Sequence, residues 1–319
     1  MLTVSVVICA YTLDRWEQLT AAVHSVQAQT QPPHEIILVS DGNEALRELA
    51  SRELPGIKVV KNALTPGLSG ARMTGAQLAT APVIAFLDDD AVADPDWLEQ
   101  LLVAYRDERV LGAGGYIEPL WATLPPRWFP REFDWVVGCT YKGMPIRDGR
   151  IRNVIGANMS MRAEVLRRSG GFTTKLGRRS AGVFGKGVAE SCEETEFCIR
   201  AARLHPGGYW AYCAKARVRH RVSAQRMTWH YFVHRCRMEG TAKAVLTVIA
   251  GGRDGLASER SYIFVLLRSF LQELAAALGG EGYAAFRAGA IFAGLAITAS
   301  AYCGTRLGGM MAITGSAGE

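Results

Sequence analysis

Between residues 2 and 107 the chain alternates two patterns. "LTVSVVICAY", "HEIILVS", "IKVVKN" and "PVIAFL" are apolar and β-branched. The longer of these runs lack polar alternation, as strands covered on both faces require. Each is followed by a helical segment: "RWEQLTAAVHSVQAQ", with Leu19, Val23 and Val26 at helical spacing, then "NEALRELASRE", "GLSGARMTGAQLAT" and "PDWLEQLLVAYRD". Strands alternating with helices of this length predict an α/β fold, a parallel sheet with helices on both faces.

Beyond Val110 the alternation loosens. "VLGAGGYIEPLW" reads as a strand, and the Pro- and aromatic-rich "ATLPPRWFPREFDW" as an irregular lobe. "IRNVIGANMSMRAEVLRRSGGF" reads as strand then helix, and "GGFTTKLGRRSAGVFGKG" as a glycine-rich basic loop, a lid over a ligand. "ESCEETEFCIRAARLH" is acidic and then helical, "GYWAYCAKARVRHRV" a strand, and "TWHYFVHRCRMEGTAKAVLTVIA" a helix. Near the end, "YIFVLLRSFLQELAAAL" is amphipathic, and 18 uncharged residues separate Arg287 from Arg306. That length reaches the lower limit of a membrane span. Its Ala, Gly and Thr content instead predicts peripheral association or packing on the rest of the chain. "MLTVSVVICAY" lacks a basic n-region and reads as a first strand, not a secretory signal.

Composition narrows the classes. A length of 319 residues, 49% hydrophobic, allows one large α/β domain with an appendage. The net charge of +6 suits anionic small partners or a membrane surface, and without a basic stripe it gives no case for nucleic acid. Seven cysteines without a C-x-x-C pair suggest neither zinc site nor disulfide framework, but thiols in a reducing cytoplasm.

In open parallel sheets, ligands sit beyond the carboxyl ends of the strands. Tyr11, Thr12, Asp41 and the run Asp88-Asp89-Asp90 all lie at such ends. Adjacent carboxylates repel one another unless a cation or donors neutralise them. Mg²⁺ or Mn²⁺, which take carboxylate oxygens together with substrate phosphates, would do so. A solvated turn is the competing reading, although Asp94 before Pro95 already supplies a cap for the next helix. Glu193, Glu194 and Glu196 crowd the first turn of a helix, where dipole complementarity alone is worth ~0.3–1 kcal/mol per exposed charge. His220, at a strand end, offers either a metal ligand or a surface imidazole. His230 and His234 share a helix face among Arg226, Arg235 and Arg237, without the rest of a zinc motif.

The order of these motifs, "VVICAYT", "SDG", "GLSGARMTG", "FLDDDAVADPDWL" and "EETEFCIR", resembles family 2 glycosyltransferases of the GT-A fold. The resemblance runs from Val4 to Arg200 and continues to about Gly240. It implies a catalytic domain over 1–240, with a donor half at about 1–115 and an acceptor half at about 116–240, then a helical region at 241–319. It implies that Asp88, Asp89 and Asp90 form the D-x-D signature. Asp90 would be the direct metal ligand, joined by Asp88 and His220, with Asp88 and Asp89 toward ribose and diphosphate. Asp41 matches the residue that binds the donor base, usually uracil. Ala10, Tyr11 and Thr12 match the loop around base and ribose, and Gly67, Ser69 and Arg72 lie near the donor. Met73 stands where the family often has Asn. Glu194 matches the catalytic base, with Glu for Asp, and Glu193 is the reserve. Asn158 matches the segment lining the sugar and acceptor.

The implied activity is inverting transfer of a sugar, a hexose, from a UDP-sugar with Mn²⁺ or Mg²⁺. The acceptor hydroxyl belongs to a lipid-linked, polysaccharide or secondary-metabolite molecule. The expected place is the cytoplasm or the inner face of its membrane, with oligomerisation open and no nucleic-acid partner. A nucleotidyltransferase would need a glycine-rich basic loop after the first strand, where "CAYTLDRW" has no glycine. An inactive nucleotide-sugar or glycan-binding module would have lost its acids, yet Asp90 and Glu194 are present. No G-x-G-x-x-G follows the first strand, which argues against a dinucleotide-dependent dehydrogenase.

Overall fold

The computed structural model describes residues 2–173, 192–251 and 259–315. These divide into two compact units. The first takes its described residues from Met1–Leu120, Pro145–Val188 and Glu193–Arg221, and the second from Trp121–Met144, Ala189–Cys192 and Val222–Glu319. This line differs from a boundary near residue 240. The lobe after Trp121 and the helix after Thr228 belong with the C-terminal helices.

The first unit is built on a sheet of nine strands. They are β1 (Val4–Ala10), β2 (Glu35–Ser40), β3 (Lys58–Lys61), β4 (Val83–Asp88), β5 (Ala91–Ala93), β6 (Val110–Trp121), β7 (Gly149–Ile151), β8 (Asn158–Arg162) and β9 (Tyr209–Val222). The order is β3-β2-β1-β4-β8-β6-β9-β5, with β7 on β9. β3, β2, β1 and β4 run parallel, with Val6 beside Ile36 on one side and Ala85 on the other. β8 then pairs antiparallel with β4 and β6, and β5 and β7 pair antiparallel with β9. The sheet is therefore mixed. It stays parallel as far as helical crossovers link successive strands, and reverses where they stop. β5 and β7 are three residues long, too short to leave a periodic signal.

The helices of this unit are α1 (Trp16–Gln27), α2 (Glu44–Glu53), α3 (Leu68–Leu78), α4 (Trp97–Ala104), α5 (Ala163–Arg168) and α6 (Glu193–Leu204). α1 buries Leu19, Ala22, Val23 and Val26, one face of a 3.6-residue repeat. Asn43 caps α2 by accepting from the Leu46 N–H at 2.9 Å. The expected cap at Asp94 takes another form. Its backbone carbonyl accepts from the Trp97 N–H at 3.0 Å, while its carboxylate lies 3.6 Å from Arg219. Val7, Ile37, Val39, Phe86, Met159, Met161, Phe197 and Trp210 form the buried core. Each such side chain contributes about 1.5–3 kcal/mol on burial. Met73 packs on this core against Gly171, whose φ of 73° and lack of a side chain leave room for the thioether.

The second unit contains α7 (Trp229–Ile249), α8 (Glu259–Leu278) and α9 (Ala284–Gly315). α7 and α9 touch backbone to backbone at Gly240, where any Cβ would overlap the Thr298 carbonyl. The irregular lobe supplies Phe133, which lies 5.1 Å from Phe232 of α7 between ring centroids.

Candidate active site

β4 delivers Asp88 to its carboxyl end, and the chain turns through Asp89 and Asp90 into β5. The antiparallel register of β5 on β9 sets Ala91 opposite His220. His220 Nε2 thereby comes within 3.0 Å of Asp90 Oδ1. One ligand atom each from Asp88, Asp90 and His220 lie within 4.8 Å of one another. The fold brings together these three residues, 132 positions apart at the extremes. Two carboxylates and one imidazole fit a divalent ion of the Mn²⁺ or Mg²⁺ kind, with positions left for water or phosphate oxygens.

Arg15, which the sequence reading did not single out, lies over the same cluster. Its Nη1 is 2.8 Å from Asp89 Oδ1 and 2.9 Å from Asp90 Oδ2. Burial works against this guanidinium's charge, but Asp89 and Asp90 outweigh burial and raise its pKa. Its Cζ also sits 4.9 Å from the Tyr11 ring centroid. Tyr11 is exposed, Ala10 is buried at the end of β1, and Thr12 caps a 3-10 turn by accepting from the Asp14 N–H at 3.2 Å.

Asp41 fastens the loop ahead of α3. Its Oδ1 accepts from Asn62 Nδ2 at 2.7 Å and its Oδ2 from the Gly67 N–H at 2.8 Å. Asn62, also absent from the sequence reading, accepts in turn from Thr74 Oγ1 at 2.7 Å. Gly67 enters the helix at φ 118°, a conformation that favours glycine. Ser69 is buried in the first turn, and among the described residues its hydroxyl has no hydrogen-bond partner.

Arg72 lies on the next turn of α3 and is 2% exposed. Its Nη1 donates to Glu194 Oε1 at 2.8 Å and lies 3.6 Å from Glu193, and its Nη2 lies 3.4 Å from Asp88. One guanidinium therefore links Glu194 to Asp88 of the three-residue group. Gly156 makes the pair possible, since a Cβ there would overlap both Glu194 Oε1 and Arg72 Nη2. The three acids of α6 separate by role. Glu193 is buried beside Arg72, Glu194 is part-exposed, and Glu196 is occupied by Arg200 through bonds of 2.7 and 2.9 Å. Cys192 precedes them at φ 73°, an uncommon conformation for a residue other than glycine.

Asn158 has another occupation than lining the cleft. Its side chain has no exposed surface. Oδ1 accepts from Trp97 Nε1 at 2.8 Å, and Nδ2 donates to the carbonyls of Ala216 at 2.8 Å and Tyr116 at 3.2 Å. It is a clamp between β6, β8, β9 and α4. The basic loop at 175–186, read as a lid, lies outside the described residues. His230 and His234 fall in the second unit, on an exposed face of α7.

The family model described as glycosyl transferase family 2 matches residues 5–170. The glucosyl-dolichyl phosphate glucuronosyltransferase of Haloferax volcanii is 35% identical over 250 residues, covering 77% of this chain and 78% of that protein. Polypeptide N-acetylgalactosaminyltransferase 15 of Mus musculus is 36% identical over 132 residues, 38% of this chain and 20% of that longer protein. Among solved structures, the Pyrobaculum calidifontis mannosyltransferase PcManGT with GDP-Man and Mn²⁺ superposes with a TM-score of 0.56 at 14% identity, over 92% of this chain and 86% of that one. GalNAc-T7 with UDP, GalNAc and Mn²⁺ gives 0.51 at 20% identity, over 75% of this chain and 47% of that one. The sheet with its flanking helices is a GT-A fold. The chain belongs to glycosyl transferase family 2 and is a glycosyltransferase.

Proposed function

We propose that this glycosyltransferase moves a hexose or hexuronic acid from a UDP-sugar to a hydroxyl of a lipid-phosphate-linked sugar, with a divalent metal and with inversion. The observation that carries the reading is Arg72, which touches both Asp88 and Glu194 and so keeps the base one guanidinium from the metal-ligating group. The lipid-linked acceptor is supported by the Haloferax volcanii relative, whose name gives glucuronosyl transfer to glucosyl-dolichyl phosphate. Seven free cysteines support a reducing compartment, the cytoplasmic face of a membrane.

Asp88, Asp90 and His220 would hold Mn²⁺ or Mg²⁺, whose charge offsets the charge developing on the departing diphosphate. Asp41, Asn62 and the Tyr11–Thr12 loop place the nucleoside, and Arg15 keeps Asp89 and Asp90 oriented. Glu194 is oriented through Oε1 by Arg72, and among the described residues its Oε2 takes no hydrogen bond. That oxygen takes the acceptor hydroxyl's proton. The acceptor oxygen then bonds to the anomeric carbon as the bond from that carbon to the diphosphate oxygen breaks. One displacement inverts the configuration. Glu193, buried against Arg72, is the less accessible of the two acids.

The test is a panel of UDP- and GDP-sugars, with glucosyl polyprenyl phosphate and soluble glycans as acceptors, in Mn²⁺, Mg²⁺ or EDTA. Transfer to the lipid-linked sugar from a UDP-sugar, lost in EDTA, is expected. No transfer or hydrolysis with any donor in Mn²⁺ would sink the reading, and equal transfer to soluble glycans would remove its lipid part.

A further inference from the structure

α8 carries Ile263, Phe264, Leu267, Leu271, Leu274 and Leu278 on its outer side, each 39–92% exposed. Five of them recur every three or four residues, which draws a stripe about 22 Å long at 1.5 Å per residue. Monomeric soluble proteins rarely expose so continuous an apolar surface. α9 adds exposed Phe286 and Phe292. The apolar windows Ser261–Leu278 and Ala284–Leu307 are only 11% and 28% buried, unlike helices of a protein core. The single exposed charge on α8 between Ser261 and Leu278 is Arg268. At the turn into α9, the Arg127 guanidinium lies 5.0 Å from the centroid of half-exposed Tyr283. Aliphatic surface bordered by Arg and Tyr complements acyl chains under anionic headgroups.

The other side of α8 decides between lying on a bilayer and crossing it. Ser269 is buried there and accepts from Lys142 Nζ at 2.9 Å, and Lys142 also pairs with buried Glu132 at 2.7 Å. Tyr262 donates to the Glu132 carbonyl at 2.6 Å. A spanning α8 would carry this ion pair into hydrocarbon, where charged groups are costly. We propose that α8, with the exposed side of α9, lies flat in the headgroup region of one leaflet of an anionic bilayer. The surface would bring the enzyme to the lipid-linked acceptor and rests on that reading for its purpose alone. Vesicle binding is measured without donor or acceptor, so the two readings fail separately.

The experiment is flotation of the full chain with phosphatidylcholine vesicles, with and without phosphatidylglycerol. It is repeated for Phe264→Asp/Leu271→Asp, both substitutions being at exposed positions. The native chain should float, more so on the anionic vesicles, and be released by alkaline carbonate. The double variant should lose about tenfold in bound fraction while keeping its circular dichroism and UDP titration. Four results would each overturn the proposal: a native chain left in solution with every vesicle, retention in carbonate, flotation of the variant equal to native, or a vesicle-independent dimer that the variant dissolves.

Discussion

Arg72 is a buried cation among Glu194, Asp88 and Glu193. Burial disfavours its charge, yet the three carboxylates outweigh burial and raise its pKa, so it stays charged at every working pH. Breaking one side of a buried ion pair costs about 3–5 kcal/mol, because the remaining charge is left uncompensated. Arg72→Met should therefore lower unfolding stability by about that amount in urea melts and abolish transfer. Arg72→Lys keeps the charge without the planar fork. It should regain part of the stability and little of the rate, and a lysine variant as active as native would show that the fork does not orient Glu194. At this scale the acids were legible and their neighbours were not. Asp88, Asp90 and Glu194 stood out only through the order of the motifs, because a carboxylate run taken alone reads equally well as a solvated turn or as a helix-dipole partner. Arg15 reaches its partner Asp90 across 75 positions, and Gly156 matters only through the side chains it lets meet. Asn158 misled for the same reason. An amide in a strand carries no sign of whether it faces a cleft or, as here, Trp97.

α3 and the 3-10 stretch Arg131–Val137 each hold a position whose cost can be read out. At Gly70 a Cβ would overlap the Thr65 carbonyl, so the loop that Asp41 pins has no space for a side chain. Gly70→Ala should weaken UDP binding in calorimetric titration while leaving Mn²⁺ binding near native, since Asp88, Asp90 and His220 lie on other elements. Equal loss of both would mean general unfolding instead of a local shift. In the 3-10 stretch, burial pushes the Asp134 carboxyl up to about 7, with Glu132 adding to the rise and Arg131 opposing it. A carboxyl raised above its unfolded value favours the folded state while protonated. That contribution is complete below about pH 4 and is lost as pH rises through about 7. Stability of the second unit should fall over that window, by about 4 kcal/mol at most. Asp134→Asn should flatten the fall in thermal melts taken from pH 4 to 8. An unchanged slope would place the proton elsewhere. Elements with a strong period were predicted well, as α1 and α2 show. The antiparallel half was not, because its direction is set by pairing partners distant in sequence and by strands of three residues.

For the whole chain, the order of motifs located the fold, whereas the partition into units was hidden. Contacts between the lobe at Phe133 and a helix at Phe232, a hundred positions on, leave no local mark in composition. The partition has a thermodynamic consequence. Asp88, Asp90 and His220 all belong to the first unit, and no member of that group lies in the second. A ligand that binds only the folded form stabilises it by about 2.7 kcal/mol when present at a hundred times its Kd. Saturating Mn²⁺ should therefore raise the melting of the first unit by several degrees, and EDTA should reverse it. Where calorimetry resolves two transitions, the second unit's should stay in place, as reported by its tryptophans Trp121, Trp128, Trp135 and Trp229. Asp90→Ala should remove the Mn²⁺ response without moving the second transition. A Mn²⁺ shift that survives Asp90→Ala would put the ion somewhere other than the three-residue group. A shift of both transitions together would mean that the two units unfold as one cooperative body.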